Sequence, residues 1–240
     1  MRSKSYNSPT YWQSFTKTDE TSQWVAGLDE QLKHATHRAK FPLQPEKGHL
    51  TICLTDTSFW LIYSFEREGC LAIRTCFDPQ SIKSYKVGRS SENKVEYQVE
   101  GALGQYTVTI ELPKKKSSLL RYTTTLVARQ PFTIQAFPRD VYVLDKGFKP
   151  AATEGMVYVT QSGPTAGLIY LSVTKPLAGS LLYFQNLTAL NDFCQATQTD
   201  PSGSVSVKWP EIGFALPTTQ EPLPAGKELT LSDAFLFLVT

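Results

Sequence analysis

The feature that most restricts the fold of this chain is a strict alternation of apolar and polar residues in its first half. Apolar side chains stand at every second position in two consecutive runs, 94–100 and 105–112, and the short segment 101–104 between them contains two glycines. Successive side chains of a β-strand point to opposite faces, so each run predicts a half-buried strand. The glycine-bounded connection predicts an antiparallel hairpin.

Other apolar runs of strand length follow residue 45, separated by Gly, Pro, Ser and Asp. With the hairpin they predict about thirteen strands, the others lying near 49–55, 58–66, 69–77, 118–128, 132–137, 141–144, 155–160, 167–174, 180–186, 204–208 and 227–239. So many short strands with so little helix exclude alternating βαβ units. They predict an all-β fold, a large two-sheet antiparallel β-sandwich of the supersandwich type.

Two helices complete the prediction. Apolar residues recur at helical spacing over 22–38, and Asp29 and Lys33 are placed for an i,i+4 ion pair. A short helix is predicted over 189–196, with Thr188 as its N-cap. The predicted organisation is therefore an N-terminal arm and helix over 1–44 and a β-sandwich domain over 45–240.

Composition limits the partners. The chain has 240 residues, of which 41% are hydrophobic and only 19% charged, and its formal net charge is +2. This composition is globular, and so small a charge predicts no nucleic-acid partner. The apolar runs are too short to span a bilayer, so no membrane partner is expected. The first residues lack the apolar core of a secretory signal, which predicts a soluble, cytoplasmic protein.

Four cysteines are predicted to be buried, reduced thiols, because none has the close paired spacing of a zinc site: Cys53, Cys70, Cys76 and Cys194.

One helical set of residues has metal-ligand spacing. Glu30, His34 and His37 stand at i, i+4 and i+7, yet they lie opposite the apolar stripe and beside several cations. A solvated helix face is the expectation, and no metal or other cofactor is predicted.

Motifs for nucleophilic or nucleotide chemistry do not occur. Ser162 and Ser204 lack the Gly-x-Ser-x-Gly context of a hydrolase, and no glycine-rich phosphate loop is present. The lysine run at 114–116 lies between two strands, where it is expected to keep a turn solvated. We therefore predict no catalytic residue.

The second half of the chain carries a group of residue types that suit a saccharide. Aromatic rings stack on the apolar face of a pyranose, and carboxylate, amide and guanidinium groups bond to its hydroxyls. The candidate carbohydrate-binding residues are Arg139, Asp140, Tyr183, Asn191, Asp192, Trp209 and Glu211.

Several segments around these residues carry a family resemblance: 137–140, 181–190, 209–214, 222–227 and 232–235. In them the chain resembles the N-terminal β-sandwich domain of bacterial (α/α)6-barrel glycoside hydrolases and phosphorylases. The resemblance implies a domain that packs on a catalytic barrel and shapes its substrate cleft, while the barrel supplies the catalytic acid and base. No such barrel follows from this sequence, so catalysis would not carry over.

The leading hypothesis is a non-catalytic β-sandwich domain of a carbohydrate-active enzyme, with a saccharide and a catalytic domain or partner subunit as its partners. The apolar run 234–239 supports it, because a final strand of this kind is expected to need a cover, either from the second sheet or from something beyond residue 240. The second of these covers would suggest a domain of a longer protein.

Two other classes remain open. One is a sugar-acting enzyme of the aldose epimerase type, for which His49 is the only histidine in the β region. The other is a structural sandwich that binds other proteins through its N-terminal arm and last strand.

Overall fold

The computed structural model describes residues 11–16, 28–35, 37–40, 48–55, 58–64, 69–76, 82–114, 117–133, 138–149, 154–160, 168–173, 178–184, 211–215 and 221–239. Their elements, in chain order, are β1 (Tyr11–Thr16), α1 (Leu28–Lys33), β2 (His37–Lys40), β3 (His49–Leu54), β4 (Ser58–Ser64), β5 (Cys70–Cys76), β6 (Ser84–Ser90), β7 (Lys94–Glu100), β8 (Gly104–Glu111), β9 (Leu119–Ala128), β10 (Pro138–Leu144), β11 (Glu154–Thr160), β12 (Leu168–Val173), β13 (Ala178–Phe184), β14 (Glu211–Ala215) and β15 (Glu228–Val239).

Nine strands form the larger antiparallel sheet, in the order β1-β11-β12-β13-β15-β9-β8-β7-β6. The strands β6 to β9 are sequential neighbours, and β15 joins this group to β13. The last described strand is therefore paired on both sides, and its residues Ala234 and Leu236 are buried. The sequence analysis expects this strand to be covered, and within the sheet it is not an edge, because β9 and β13 pair with it on either side.

Six strands form the smaller antiparallel sheet, in the order β14-β10-β5-β4-β3-β2. The two antiparallel sheets, with almost no helix among the described residues, establish the predicted all-β, sandwich-like fold.

The core between the sheets follows the predicted alternation. In β7 every second residue is buried, and the same holds in β8 and β9. Phe59 of β4 meets Tyr97 of β7 edge to face, with ring centroids 5.4 Å apart. Since these strands belong to different sheets, the contact shows that the sheets pack against each other.

The smaller sheet is buried on both faces at its central strand β4. In β4 six consecutive residues, 58–63, are buried, which alternation alone would not allow for a sheet with one wet face. Trp60 and Ile62 belong to a cluster on the face away from Phe59, and Leu32 of α1 is part of that cluster. The helix thus forms a partial third layer.

The N-terminal helix ends earlier in the chain than predicted. The sequence predicts a helix over 22–38, whereas α1 ends at Lys33, and His37 and Arg38 lie in strand β2. These two residues pair with Leu54 and Cys53, so backbone bonding to β3 replaces the last helical turn. The predicted pair of Asp29 and Lys33 is present, with Nζ and Oδ2 3.6 Å apart.

Four strands were not anticipated: β1, β2, β6 and β14. Two of them lie in the segment predicted as an arm, and each pairs with a later strand. Phe132, placed in a predicted strand over 132–137, forms only an isolated bridge to Leu223. The predicted helix over 189–196 and the strand near 204–208 lie outside the described residues.

No helix among the described residues has the length and hydropathy needed to cross a lipid bilayer.

Candidate functional site

The predicted saccharide ligands fall on separate parts of the fold. Arg139 and Asp140 lie in β10 and Glu211 begins β14, both in the smaller sheet, whereas Tyr183 lies in β13 of the larger sheet. Asn191, Asp192 and Trp209 lie outside the described residues. The structure therefore brings three of the predicted residues to one sheet edge and places the fourth in the other sheet.

Backbone register orders the residues at that edge. Asp140 pairs with Gly213 and Glu211 pairs with Tyr142, so the two carboxylate residues occupy diagonal positions on neighbouring strands. On its other side Asp140 pairs with Arg74 of β5. The next strand places Trp60 opposite Arg74.

Arg74 and Trp60 are missing from the sequence prediction, although their chemistry resembles that of a sugar site. The guanidinium carbon of Arg74 lies 5.5 Å from the centroid of the Trp60 ring. However, Arg74 is only 6% exposed and Trp60 is fully buried. A covered ring cannot stack on a ligand, so this pair has a structural role in the fold.

A second group of residues lies on the outer face of the larger sheet, where β9 and β15 pair. We call it the outer aromatic face, and it consists of three directly paired couples: Leu119 with Phe237, Arg121 with Phe235, and Thr123 with Asp233. Their neighbours in β9, such as Leu120 and Tyr122, are buried in the sandwich. The six residues therefore line the side of the sheet that faces away from the core.

An ion pair and a ring contact fix the polar part of this face. Arg121 donates hydrogen bonds from Nε and Nη2 to Oδ1 and Oδ2 of Asp233, at 3.0 and 2.8 Å. The same guanidinium lies 5.5 Å from the centroid of the Phe235 ring. The hydrogen bonds that Arg121 donates to Asp233 raise the pKa of Arg121, which keeps the cation charged. The two parallel hydrogen bonds to Asp233 and the contact with the Phe235 ring together hold Arg121 against the sheet.

The apolar part of the face is open to solvent. Phe237 is 43% exposed, and Leu119 and Phe235 are half-buried. Register places Tyr183, one of the predicted ligands, opposite Phe235, and Leu181 opposite Phe237. The structure thus puts Tyr183 beside residues that the sequence analysis did not select.

The row that contains Phe237 continues across the sheet through residues that are mostly aromatic. Leu181 pairs with Tyr170, Tyr170 with Tyr158, and Tyr158 with Trp12. With Leu119 at the other end the row crosses six strands, which at the usual strand spacing is about 24 Å. Backbone register thus places these six residues in one row across the sheet.

The chemistry of the outer aromatic face is that of recognition. A flat apolar ring at Phe237 can contact the C–H face of a sugar, and Asp233 and Arg121 retain acceptor and donor capacity for hydroxyl groups. Arg121 and Asp233 lie 112 positions apart in the chain. Sequence reasoning missed them because only the pairing of β9 with β15 brings them together.

The other sequence motifs yield no second site. His49 is exposed at the start of β3. His34 Nε2 lies 3.4 Å from Glu30 Oε2 in an exposed position, whereas His37 lies in β2 and not in the helix. Across the described part of the chain no three His, Cys, Asp or Glu side chains are grouped as metal ligands. Cys53 and Cys70 are buried and in no disulfide, as predicted, whereas Cys194 and the side chain of Cys76 lie outside the described residues.

The chain was also compared with known proteins. No family model, no curated protein and no solved structure matches it.

Proposed function

We propose that this chain is a non-catalytic β-sandwich domain that binds an oligosaccharide on its outer aromatic face and serves a carbohydrate-active enzyme. The observation that carries the proposal is the exposed ring of Phe237, which is 43% exposed beside the fixed pair of Arg121 and Asp233. Exposed aromatic residues flanked by ordered polar groups are typical of binding surfaces.

The row of aromatic residues supports an oligosaccharide rather than a monosaccharide. It extends by register from Leu119 to Trp12 over about 24 Å, a distance that accommodates several pyranose rings placed end to end. The link to a carbohydrate-active enzyme rests on the sequence resemblance described above.

The experiment is isothermal titration with a panel of defined hexasaccharides: cello-, xylo-, malto-, chito- and laminarihexaose. We expect one of them to bind, and we expect Phe237→Ala to lower its affinity about tenfold, which corresponds to ~1.4 kcal/mol. Tyr85→Ala is the matched control, because Tyr85 is an exposed aromatic residue on the far edge of the same sheet.

Two results would contradict the proposal. The first is the absence of heat with every hexasaccharide at millimolar concentration. The second is an equal loss of affinity in the Phe237→Ala and Tyr85→Ala proteins, since a saccharide on the outer aromatic face does not reach β6. Thermal unfolding of both variants controls for loss of structure.

A further inference from the structure

The free edge of the larger sheet presents a second surface. Strand β6 ends the sheet and pairs only with β7 among the described strands. All seven of its residues are exposed. One row of its backbone N–H and C=O groups is therefore left without a neighbouring strand.

The inner side of β6 is apolar and uncovered. Tyr85 and Val87 pair with Val99 and Tyr97, which are buried in the core. Tyr85 is nevertheless 36% exposed and Val87 50% exposed. Both side chains therefore follow the core-facing side of the sheet to a place where they are no longer covered.

The β6 edge is cationic. Residues 82–91 include Lys83, Lys86 and Arg89 and contain no carboxylate. Three carboxylates flank this run: Glu92 follows it in the chain, Glu96 of β7 reaches towards Gly88, and Glu100 is engaged by Arg129. Neither Lys86 nor Arg89 forms an ion pair with another residue of the described ranges.

We propose that β6 accepts an extended acidic segment of a partner protein, which adds a tenth strand to the sheet. Main-chain hydrogen bonds would supply affinity, and side-chain alternation would supply specificity. Apolar residues of the added strand lie beside Tyr85 and Val87, and its acidic residues lie beside Lys86 and, because the register shifts between Val87 and Ser90, also beside Arg89. A second copy of β6 is disfavoured, since it would bring cations against cations.

The test uses a fluorescent eight-residue peptide in which glutamate alternates with valine. We expect saturable binding in fluorescence anisotropy, affinity that falls as salt is added, and slower amide exchange over residues 84–90 in the complex. A block peptide of four glutamates followed by four valines has the same composition, and we expect it to bind at least tenfold more weakly.

Charge reversal at the edge gives the decisive comparison. Lys86→Glu with Arg89→Glu is expected to lower affinity at least tenfold for the glutamate peptide and to raise it for the corresponding lysine peptide. Lys146→Glu with Lys227→Glu changes the net charge equally at exposed positions elsewhere and should alter affinity less than twofold. Phe237→Ala should leave peptide binding intact, which separates this proposal from the saccharide proposal.

Three results would overturn the proposal. They are equal binding of the alternating and block peptides, retained affinity in the Lys86→Glu, Arg89→Glu protein, and unchanged exchange over 84–90 when the peptide is bound. A homodimer whose β6 amides are already protected without peptide would also overturn it, because the edge would then belong to a second copy.

Discussion

Arg121 and Asp233 join two distant parts of the chain by a bidentate ion pair, with hydrogen bonds of 3.0 and 2.8 Å. The pair is partly exposed, so we expect a coupling energy of about 0.5 to 1 kcal/mol. A double-mutant cycle with Arg121→Ala and Asp233→Ala, followed by urea unfolding, measures it. We also expect the coupling to weaken as salt is added, and strictly additive effects would show that the pair contributes nothing.

Asp140 is predicted from the sequence as a sugar ligand, yet its register partner is the buried Arg74. Register places Asp140 directly opposite this guanidinium, and removal of one partner of a buried ion pair typically costs about 3 to 5 kcal/mol. We expect Asp140→Asn to destabilise the protein by at least 2 kcal/mol in urea unfolding. Glu228→Gln, at an exposed position, is the control. Unchanged stability with weaker saccharide binding would instead support the original assignment.

Helix α1 is attached to the smaller sheet through Leu32, which is fully buried against Trp60 and Cys53. We expect Leu32→Ala to lower the free energy of unfolding by about 2 to 4 kcal/mol, because the removed side chain leaves a cavity. The exposed neighbour Gln31 provides the control, and Gln31→Ala should change stability by less than about 0.5 kcal/mol. Equal effects would mean that the helix does not cover the sheet.

Cys70 makes stability depend on alkaline pH. Burial, followed by the charge of Asp145 and by Cys53, raises the pKa of Cys70 from its ordinary value of 9.0 to about 12. The protonated thiol is favoured in the folded state, so this stabilisation is complete below pH 9 and is lost as pH rises towards 12. Over this range the free energy of unfolding falls by up to about 1.4 kcal/mol for each pH unit.

Urea unfolding of the wild type and of Cys70→Ala between about pH 9 and about pH 11 isolates this effect. We expect the difference in unfolding free energy between the two proteins to shift steadily against the wild type over that range. A constant difference would indicate that the thiol titrates normally in the folded state.

Gly104 and Gly226 are glycines for different reasons: a side chain lacks space at Gly104, and the backbone of Gly226 has a positive φ. A Cβ at Gly104 would collide with the backbone carbonyl oxygen of Val127, whereas a Cβ at Gly226 would meet nothing within 4 Å. Gly226 instead has a φ of +75°. We expect Gly104→Ala to cost at least 2 kcal/mol and Gly226→Ala about 1 kcal/mol in thermal or urea unfolding. The reverse order would contradict the close approach of β8 and β9.

The sequence predicts the fold where local pattern determines the structure. Alternation marks β7 and β8 because one face of each is wet, and it fails to mark β6, in which no residue is buried. The predicted helix extends too far towards the C-terminus because His37 and Arg38 pair with β3. Helical spacing in the sequence cannot reveal that pairing.

The candidate site was less predictable than the fold, because it depends on which strands are neighbours. Tyr183 was selected for its chemistry, and only the order β13-β15-β9 places it beside Phe235 and Arg121. Similarly, Trp60 lies in an apolar run that predicts a buried strand, with no sign that Arg74 stacks on it.

Strand β4 is covered on one face by the larger sheet and on the other by the cluster that includes helix α1, and this affects the order in which the protein unfolds. A strand shielded from water on both sides can release its backbone only when the helix layer and the larger sheet have both moved away. The outermost ribbon, β6, can fray without disturbing either layer. Partial melting should therefore begin at one rim of the molecule and reach its middle last.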